Sequence, residues 1–194
     1  MTVLITGATG LVGQELVNLL LQNGHNVHYL STSKSKLVTN TNYKGFYWDP
    51  KNAEIDTNAL TDVEVIIHLA GANVAKKWTT AYKEEIIESR VLSTQLLYQT
   101  LQKNSHQVKQ IISASAVGIY PDSLTDIYHE TDLDIDVSFL GNVVKQWENE
   151  VSQFEKLEII VSKIRIGIVL AKNGGALQEM AKPIKYGVGA AFGS

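Results

Sequence analysis

The fold is decided by the first thirteen residues, Met1-Thr2-Val3-Leu4-Ile5-Thr6-Gly7-Ala8-Thr9-Gly10-Leu11-Val12-Gly13. The run Thr2–Thr6 is apolar and rich in β-branched residues, which predicts a strand. Leucine and valine then recur at helical spacing from Leu11 to Asn23, which predicts an amphipathic helix. A chain that passes from strand to helix through three glycines, each three residues apart, is typical of a turn that holds a phosphate group.

Each glycine of this turn has its own task in the predicted structure. Gly7 permits the sharp turn out of the strand, and Gly10 lets the backbone come close to a pyrophosphate. Gly13 lets the helix pack tightly against the sheet. The free amides and the positive dipole end of the helix then favour the phosphates of a dinucleotide. The alternative is a glycine turn that serves packing alone.

Short apolar runs alternate with longer amphipathic segments along the chain. Strands are predicted at Thr2–Thr6, Asn26–Ser31, Lys44–Trp48, Val63–Leu69, Lys109–Ala114 and Leu157–Arg165. Helices are predicted at Leu11–Asn23, Thr80–Lys103 and Ser138–Phe154. Several strands are almost continuously apolar, as expected of strands that are buried on both faces of a parallel sheet. The alternation predicts an α/β fold, a doubly wound parallel sheet with right-handed crossovers.

Length and charge limit the classes of protein that fit. The 194 residues suit one globular domain, or one domain and part of another. A formal net charge of −3 without any basic run argues against a protein that binds nucleic acid. The longest apolar stretch, around Val63–Ala75, is far shorter than the roughly 20 residues of a membrane span, so no membrane partner is expected.

The cysteine and histidine content narrows the chemistry. The sequence has no cysteine, which excludes disulfides, thiolate catalysis and cysteine-bound metals. The five histidines show no metal-ligand spacing, and we predict no metal site. The first residues run directly into a predicted strand instead of a secretory signal, so the expected location is cytoplasmic.

The loop after the second predicted strand bears on which dinucleotide would bind. It reads Ser31-Thr32-Ser33-Lys34-Ser35-Lys36, with no Asp or Glu where an NAD site places an acid for the ribose 2′-hydroxyl. Hydroxyls and lysines suit a 2′-phosphate, which a carboxylate would repel. We therefore favour NADP(H) over NAD(H), with Ser31 and Lys34 as contacts. The alternative is that the lysines are ordinary solvated charges.

Several segments together resemble the extended short-chain dehydrogenase/reductases, the NAD-dependent epimerase/dehydratase family. They are Thr6–Gly13, His68-Leu69-Ala70-Gly71 and Ile112–Tyr120. Further motifs narrow the resemblance to an atypical subgroup, often called nucleoside-diphosphate-sugar-epimerase-like proteins. These motifs are Trp48-Asp49-Pro50, Ala70–Ala75, Ser89-Arg90, Phe139-Leu140-Gly141, Trp147-Glu148, Arg165–Leu170 and Gly174-Gly175-Ala176-Leu177.

The resemblance covers essentially the whole chain and implies its organisation. Residues 1–170 would form an NAD(P)-binding Rossmann domain, and residues 171–194 would begin a substrate-binding region that lacks its C-terminal part. The closing segment from Gly174 onward is rich in glycine. From its pattern we expect it to break off without a closing strand or helix.

The resemblance also implies roles for individual residues. The pyrophosphate would be held by Gly7, Thr9, Gly10, Leu11, Val12 and Gly13. The adenosine ribose and the inner side of the nicotinamide would be lined by Leu69, Ala70 and Gly71. Asp49 would lie near the adenine, with a turn-forming role before Pro50 as the alternative. Ser113 and Ser115 end the fifth predicted strand, where doubly wound sheets bind ligands. Ser115 matches the serine that polarises a substrate carbonyl, and the alternative is that it satisfies local backbone groups.

The sequence departs from the family at the acid–base pair. Active relatives use a tyrosine with a lysine four residues later, and the lysine lowers the pKa of the phenol. In this chain Phe139 and Val143 occupy those two positions, and neither side chain transfers a proton. Tyr120 and Tyr128 are the candidate replacements near Ser115, and Tyr120 is the better placed because it lies just past the end of the strand.

Two functions therefore stay open. One is an NAD(P)-dependent oxidoreductase or epimerase that acts on a small carbonyl or sugar-nucleotide-like substrate, with Ser115 and Tyr120 as catalytic residues. The other is a non-catalytic NADP(H)-binding protein with a regulatory or partner-binding role. Relatives often dimerise through the long helices after the fourth and fifth strands, so the resemblance also implies a homodimer.

Overall fold

A computed structural model describes residues 1–172 and 174–188, and this part of the chain alternates between strands and helices. The strands are β1 (Thr2–Thr6), β2 (Asn26–Ser31), β3 (Tyr43–Asp49), β4 (Glu54–Ile55), β5 (Val63–His68), β6 (Gln110–Ala116), β7 (Ile160–Ile166), β8 (Leu170–Ala171) and β9 (Gly174–Gly175). The helices are α1 (Leu11–Gln22), α2 (Thr80–Lys103), α3 (Phe139–Ser152) and α4 (Ala176–Lys185). Short 3-10 turns occur at Lys34–Lys36, Thr57–Leu60, Val117–Ile119 and Gln153–Leu157.

The main sheet has seven strands in the order β4-β3-β2-β1-β5-β6-β7. Neighbouring strands are parallel except β3 and β4, which pair antiparallel. The chain builds outward from β1 to one edge and then returns to build from β5 to the other edge. The order therefore reverses between β1 and β5, where the loops diverge and leave a crevice for a ligand. The predicted doubly wound, Rossmann-type sheet is confirmed.

Each face of the sheet carries its own apolar core. Successive side chains of a strand point to opposite faces, so Leu4 joins one core while Val3 and Ile5 join the other. The core with Leu4 packs α2 and the turn after α3 against the sheet, and the core with Val3 and Ile5 packs α1 against it. All five residues of β1 are buried. The end of β1 is therefore a rigid base for the glycine turn that follows.

The predicted elements agree with the structure except at a few ends. The helix predicted at Thr80–Lys103 has those bounds, but the strand predicted from Leu157 begins only at Ile160. Leu157 closes a 3-10 turn, and Glu158 adopts a left-handed conformation with φ of 58°. The apolar pattern hid this turn because Leu157 and Ile159 also pack into the core, although neither belongs to the strand.

The expectation that no strand or helix follows Gly174 is wrong. β8 and β9 form a short antiparallel pair, and α4 follows it directly. Leu177, Met180 and Ile184 recur at helical spacing, a signal that the neighbouring glycines obscured. The predicted unit 171–194 lies partly outside the described residues, and its boundary at residue 170 stays a prediction.

Within 1–172 and 174–188, no helix is both long and apolar enough to cross a bilayer. Over the same ranges, no group of three or more acidic or histidine side chains is arranged to hold a metal ion. The cytoplasmic location, the lack of a metal and the lack of a nucleic-acid partner stay predictions.

Candidate functional site

A cleft of about 480 Å³ lies over the carboxyl ends of β1, β2, β3 and β5, at the point where the strand order reverses. Its walls come from the glycine turn, the loops after β2 and β3, the segment after β5 and one face of α2. The predicted contacts that line it are Gly7, Thr9, Ser31, Asp49, Ala70 and Gly71. The structure thus brings together residues from four separate loops, some of which were predicted from the glycine and loop patterns and others from the family resemblance.

The glycine turn is built so tightly that side chains are excluded from two of its positions. Gly7 has φ of +72°, and a Cβ on it would lie 2.8 Å from the carbonyl oxygen of Leu69. A Cβ on Gly13 would lie 2.2 Å from the carbonyl oxygen of Gly7. Both distances are far below van der Waals contact. The turn role predicted for Gly7 and the packing role predicted for Gly13 therefore have a direct steric basis.

The start of α1 is left open for an anion. Gly10 is the N-terminal cap residue, and no side chain caps the helix there. The first turn also carries no acidic residue. The first amides of a helix have no partner within the helix, and their dipoles favour negative charge. Thr9, which lines the cleft beside them, is held by the Gln14 side chain, whose Nε2 donates to the Thr9 carbonyl at 2.8 Å.

The segment after β5 forms the opposite wall of the cleft and is fixed at both ends. At one end Thr6 Oγ1 accepts hydrogen bonds from the amides of Leu69 and Ala70, each at 3.1 Å. At the other end Ser89 Oγ accepts from the Ala72 amide at 2.9 Å, and Arg90 donates to the Ala72 carbonyl at 3.2 Å. These side chains hold the segment in place without a ligand.

The loop after β2 presents a different lysine to the cleft from the one predicted. Lys36 lines the cleft together with Ser31, Thr32 and Ser33. The ammonium of Lys34 instead lies 4.6 Å from the centre of the Tyr47 ring. The two lysines flank a single 3-10 turn, so one points into the cleft region while the other packs on an aromatic face.

A buried tyrosine anchors this loop to the sheet. The hydroxyl of Tyr29 donates to the carbonyl of Lys36 at 2.8 Å and accepts from the amide of Val38 at 2.7 Å. The ring needs the space that Gly45 leaves on β3, because a Cβ on Gly45 would lie 2.4 Å from it. The position of Lys36 therefore depends on packing between β2 and β3.

The end of β3 and the loop after it form part of the cleft wall through Trp48, Asp49, Pro50 and Lys51. Hydrogen bonds from the Asn52 side chain, together with the amides of Asn52 and Lys51, lower the pKa of Asp49, so its carboxylate is occupied in shaping this turn. Lys51 forms an exposed ion pair with Glu85 of α2, at 2.7 Å, and a second with Glu88, at 3.3 Å. These pairs join the loop to α2 across the mouth of the cleft.

The two predicted catalytic residues meet at an ion pair beside α3. Ser115 Oγ donates to Glu148 at 2.5 Å, and Arg165 of β7 donates to both carboxylate oxygens of Glu148, each at 3.0 Å. Arg165 also donates to the Tyr120 hydroxyl at 2.5 Å. That hydroxyl in turn donates to the carbonyl of His129 at 3.0 Å. Ser115 and Tyr120 are thus linked through Glu148 and Arg165.

The electrostatics of this cluster favour its charged form. Burial alone would raise the pKa of Glu148, but hydrogen bonds from Arg165 and Ser115 outweigh that effect and lower it. The same carboxylate raises the pKa of Arg165. A cavity of about 160 Å³ adjoins the pair and is lined by Tyr120, Glu148 and Arg165, among others. Sequence reasoning missed Glu148 and Arg165 as site residues, although both lie in motifs that carry the family resemblance.

The other residues singled out in the sequence do not line the cleft itself. Gly10, Leu11 and Val12 start α1 beside it, Gly13 is buried beneath the turn, and the Leu69 amide is held by Thr6. Ser113 is fully buried, and its hydroxyl donates to the Ala114 carbonyl. Val143 is buried in α3, and Phe139 at the start of α3 contacts Trp78 edge-on. The roles predicted for these residues stay predictions.

Comparison with known proteins places this geometry in a family. Residues 3–138 match the profile of the NAD dependent epimerase/dehydratase family. Over 195 aligned residues the chain is 36% identical to an epimerase family protein of Staphylococcus aureus. That alignment covers 98% of this chain and 63% of the relative, so the chain spans slightly less than two thirds of the relative's length.

Two solved structures share the fold over the whole chain. The human epimerase family protein SDR39U1, whose crystal structure contains NADPH, is 26% identical with a TM-score of 0.77, covering 100% of this chain and 63% of that one. The nucleoside-diphosphate sugar epimerase of Corynebacterium glutamicum is 31% identical with a TM-score of 0.79, covering 100% of this chain and 39% of that one. By profile, sequence and fold, the chain belongs to the NAD-dependent epimerase/dehydratase family.

Proposed function

We propose that this chain binds NAD(P) in the cleft between β1 and β5 and forms the cofactor-binding part of an oxidoreductase or epimerase. The substrate class is a small carbonyl compound or a sugar-nucleotide-like molecule. The observation that carries the proposal is the glycine turn, in which Gly7 and Gly13 leave no room for a Cβ and α1 begins without a side-chain cap. The NADPH in the structure of the human relative supports the same class of ligand.

The residues fit the parts of a dinucleotide in a definite order. The pyrophosphate would lie against the turn from Gly7 to Gly13, where backbone amides and the helix dipole meet its charge. The adenosine end would lie between the loops after β2 and β3, and the nicotinamide end would extend along Leu69, Ala70 and Gly71. A bound NAD(P) would supply hydride transfer, and these residues would hold and orient it.

We further propose that NADP(H) is preferred to NAD(H). Ser31, Thr32, Ser33 and Lys36 line the cleft at the end of β2 and offer hydroxyls and an ammonium to a 2′-phosphate. Lys36 takes the role that the sequence assigned to Lys34, because the Lys34 ammonium lies over the Tyr47 ring. Loss of one lysine contact to a phosphate corresponds to about tenfold in affinity.

Equilibrium titration with NADPH and NADH tests both statements. Trp48 lines the cleft, so its fluorescence reports binding of a reduced nicotinamide dinucleotide. We expect tighter binding of NADPH, and no binding by Gly10→Asp, whose carboxylate would repel the pyrophosphate. Equal affinities would remove the 2′-phosphate argument, and the absence of binding by the parent chain would refute the proposed function.

A matched pair of lysine variants locates the 2′-phosphate contact. Lys36→Gln is expected to weaken the binding of NADPH about tenfold and to leave the affinity for NADH unchanged, because only NADPH carries the 2′-phosphate. Lys34→Gln removes the same charge from the other end of the same 3-10 turn and is expected to have a smaller effect. The reverse ranking would return the contact to Lys34, as the sequence alone predicted.

For catalysis we propose Ser115 and Tyr120 as the groups that polarise a substrate carbonyl. Their link through Glu148 and Arg165 supports a shared role. A hydroxyl polarises a carbonyl by donating its proton, and Ser115 donates its proton to Glu148. Substrate would therefore have to exchange with that hydrogen bond before Ser115 could act on it.

The second candidate function is a non-catalytic NADP(H)-binding protein with a regulatory or partner-binding role. Phe139 and Val143 at the acid–base positions favour it, as does the engaged Ser115 proton. NADPH oxidation with a panel of aldehydes and ketones, together with isomerisation of sugar nucleotides, separates the two. An enzyme would show turnover that Ser115→Ala abolishes, whereas a binding protein would show none and would keep its NADPH affinity in Ser115→Ala. Light scattering of the same samples tests the homodimer that we propose by analogy.

A further inference from the structure

One buried side chain beneath the cleft has both of its polar atoms engaged. His68 ends β5 and is fully buried between the sheet and α2. Its Nδ1 lies 2.7 Å from Thr6 Oγ1 on β1, and its Nε2 lies 3.1 Å from Thr94 Oγ1 on α2. Thr6 and Thr94 are also fully buried. The imidazole therefore connects the first strand, the fifth strand and the second helix in a site closed to solvent.

The hydrogen-bond partners fix the direction of the first half of this chain. Thr6 Oγ1 accepts from the amides of Leu69 and Ala70, which occupy the lone pairs of the hydroxyl oxygen. Its single proton is then available only to His68, so Nδ1 must be an acceptor without a proton. A neutral imidazole with a bare Nδ1 carries its proton on Nε2.

The second half of the chain agrees with that tautomer. The Thr94 hydroxyl donates its proton to the carbonyl of Arg90 at 2.6 Å, so it accepts from His68 Nε2. Ser93, whose Oγ lies 3.4 Å from Nε2, likewise donates its proton to the Ser89 carbonyl at 2.7 Å. Each proton in the series has an acceptor, and a second proton, on Nδ1 of the imidazole, would leave the proton of the Thr6 hydroxyl without one.

We propose that His68 is a positioning residue for the dinucleotide, acting through the Thr6 hydroxyl on the backbone of Leu69 and Ala70. The bare Nδ1 takes the Thr6 proton and so keeps the lone pairs of Thr6 aimed at the two amides. An apolar residue would fill the same space, but it would leave that hydroxyl free to rotate. A wall fixed before binding costs less conformational entropy when the ligand arrives.

The surroundings of the imidazole keep it in the required state. Burial, with a smaller contribution from the charge of Arg90, lowers the pKa of His68 to about 3. Arg90 itself holds the far end of the wall through the Ala72 carbonyl. The neutral His68 thus fixes one end of the segment and the charged Arg90 fixes the other. This inference rests on the proposed binding of NAD(P), but its structural part can be measured without a ligand.

The test compares His68→Leu with His28→Leu. His28 is also a buried histidine on a central strand, and its Nδ1 bonds the Ala59 carbonyl at 2.9 Å, away from the cleft. The Leu69 amide also donates to the Thr6 carbonyl at 3.2 Å, so the Ala70 amide is the one that reports on the Thr6 hydroxyl. We expect His68→Leu to raise amide hydrogen exchange at Ala70 by about tenfold or more and to weaken NADPH binding about tenfold. His28→Leu is expected to change neither quantity. Equal effects of the two variants on exchange and affinity would overturn the proposal.

A second pair covers the case in which His68→Leu does not fold. Thr6→Val removes the hydroxyl at nearly constant shape and is expected to raise exchange at Ala70, whose amide donates to that hydroxyl, whereas Thr6→Ser restores protection. Nitrogen-15 spectra of the parent chain are expected to show the Nε2-protonated tautomer of His68. A protected Ala70 amide in Thr6→Val, or an Nδ1-protonated ring, would overturn the proposal even if NADPH binds. Failure of the parent to bind NADPH, with both structural readouts as expected, would refute only the proposed function.

Discussion

Replacement of Gly13 by alanine is the sharpest test of how the turn is built. In an ordinary helix the change from glycine to alanine stabilises by about 1 kcal/mol, because alanine has less backbone freedom to lose. In this structure the added methyl carbon would lie 2.2 Å from the Gly7 carbonyl oxygen and 2.8 Å from Ala8 Cα. Both contacts are to backbone, which cannot rotate away, so the start of α1 must separate from the turn.

The expected result is a reversal of the usual sign. Forcing an extra carbon into a well-packed site costs about 1–3 kcal/mol, and we expect a net loss of about 2 kcal/mol for Gly13→Ala. For a chain of this length that loss corresponds to a fall of about 4–8 °C in the thermal midpoint. Because the displaced backbone also carries the open amides of α1, NADPH affinity is expected to fall in the same variant.

Gly118→Ala provides the matched control. Gly118 lies in the turn after β6, and a Cβ placed there would meet nothing within 4 Å. The free energy of unfolding of Gly118→Ala is expected to stay within about 0.5 kcal/mol of that of the parent, so its thermal midpoint should hardly change. Circular dichroism melts with and without NADPH measure both quantities. A Gly13→Ala variant that melts at or above the parent temperature, with unchanged affinity, would refute the steric reasoning.

Three further changes have expected outcomes. The free energy of unfolding should fall as the pH is lowered from about 6.5 towards 3. The cause is that His68 takes up a proton in the unfolded chain but not in the native one, where its pKa is lowered to about 3. This difference in pKa corresponds to a loss of up to about 5 kcal/mol of stability. Urea unfolding measured across this pH range should show that the unfolding free energy of His68→Leu depends less steeply on pH than that of the parent. Glu148→Gln should cost about 3 kcal/mol in urea unfolding, because it leaves Arg165 without its counter-charge in a mostly buried site, and a midpoint equal to the parent's would contradict this. Lys51→Met should leave the urea midpoint unchanged, because the Lys51–Glu85 pair is exposed and screened by water; a clear fall would show that the bridge across the cleft mouth stabilises the fold.

The sequence was sufficient for the framework because its signals are local. The apolar, β-branched run of β1, the glycine spacing and the helical repeat of α1 each extend over only a few residues. Two features were not predicted, namely the 3-10 turn that ends at Glu158 and the helix α4. Apolar residues and glycines occur in more than one kind of local structure, so their pattern there was ambiguous. Pattern alone does not separate a strand from a buried turn.

The site was predicted less completely because its decisive contacts join distant parts of the chain. Glu148 and Arg165 are 17 residues apart and lie on different elements, and only the packing of α3 beside β7 brings them together. His68 lies in a predicted strand and in a motif that carries the family resemblance, but only the structure shows that it is buried and hydrogen-bonded to Thr6. Its link to the cleft wall depends on Thr6, 62 residues earlier, which no local pattern indicates.

Gly45 affects the shape of the cleft although it does not line it. The position is half-buried on β3 and contributes no atom to the cavity wall, yet any larger residue there would displace the Tyr29 ring and with it the loop that presents Lys36. In a saturation library selected for coenzyme discrimination, position 45 should therefore tolerate as little variation as the residues that we propose to contact the 2′-phosphate. Engineering that aims to exchange one coenzyme for the other therefore has to keep a glycine at position 45, so that the Tyr29 ring retains its space.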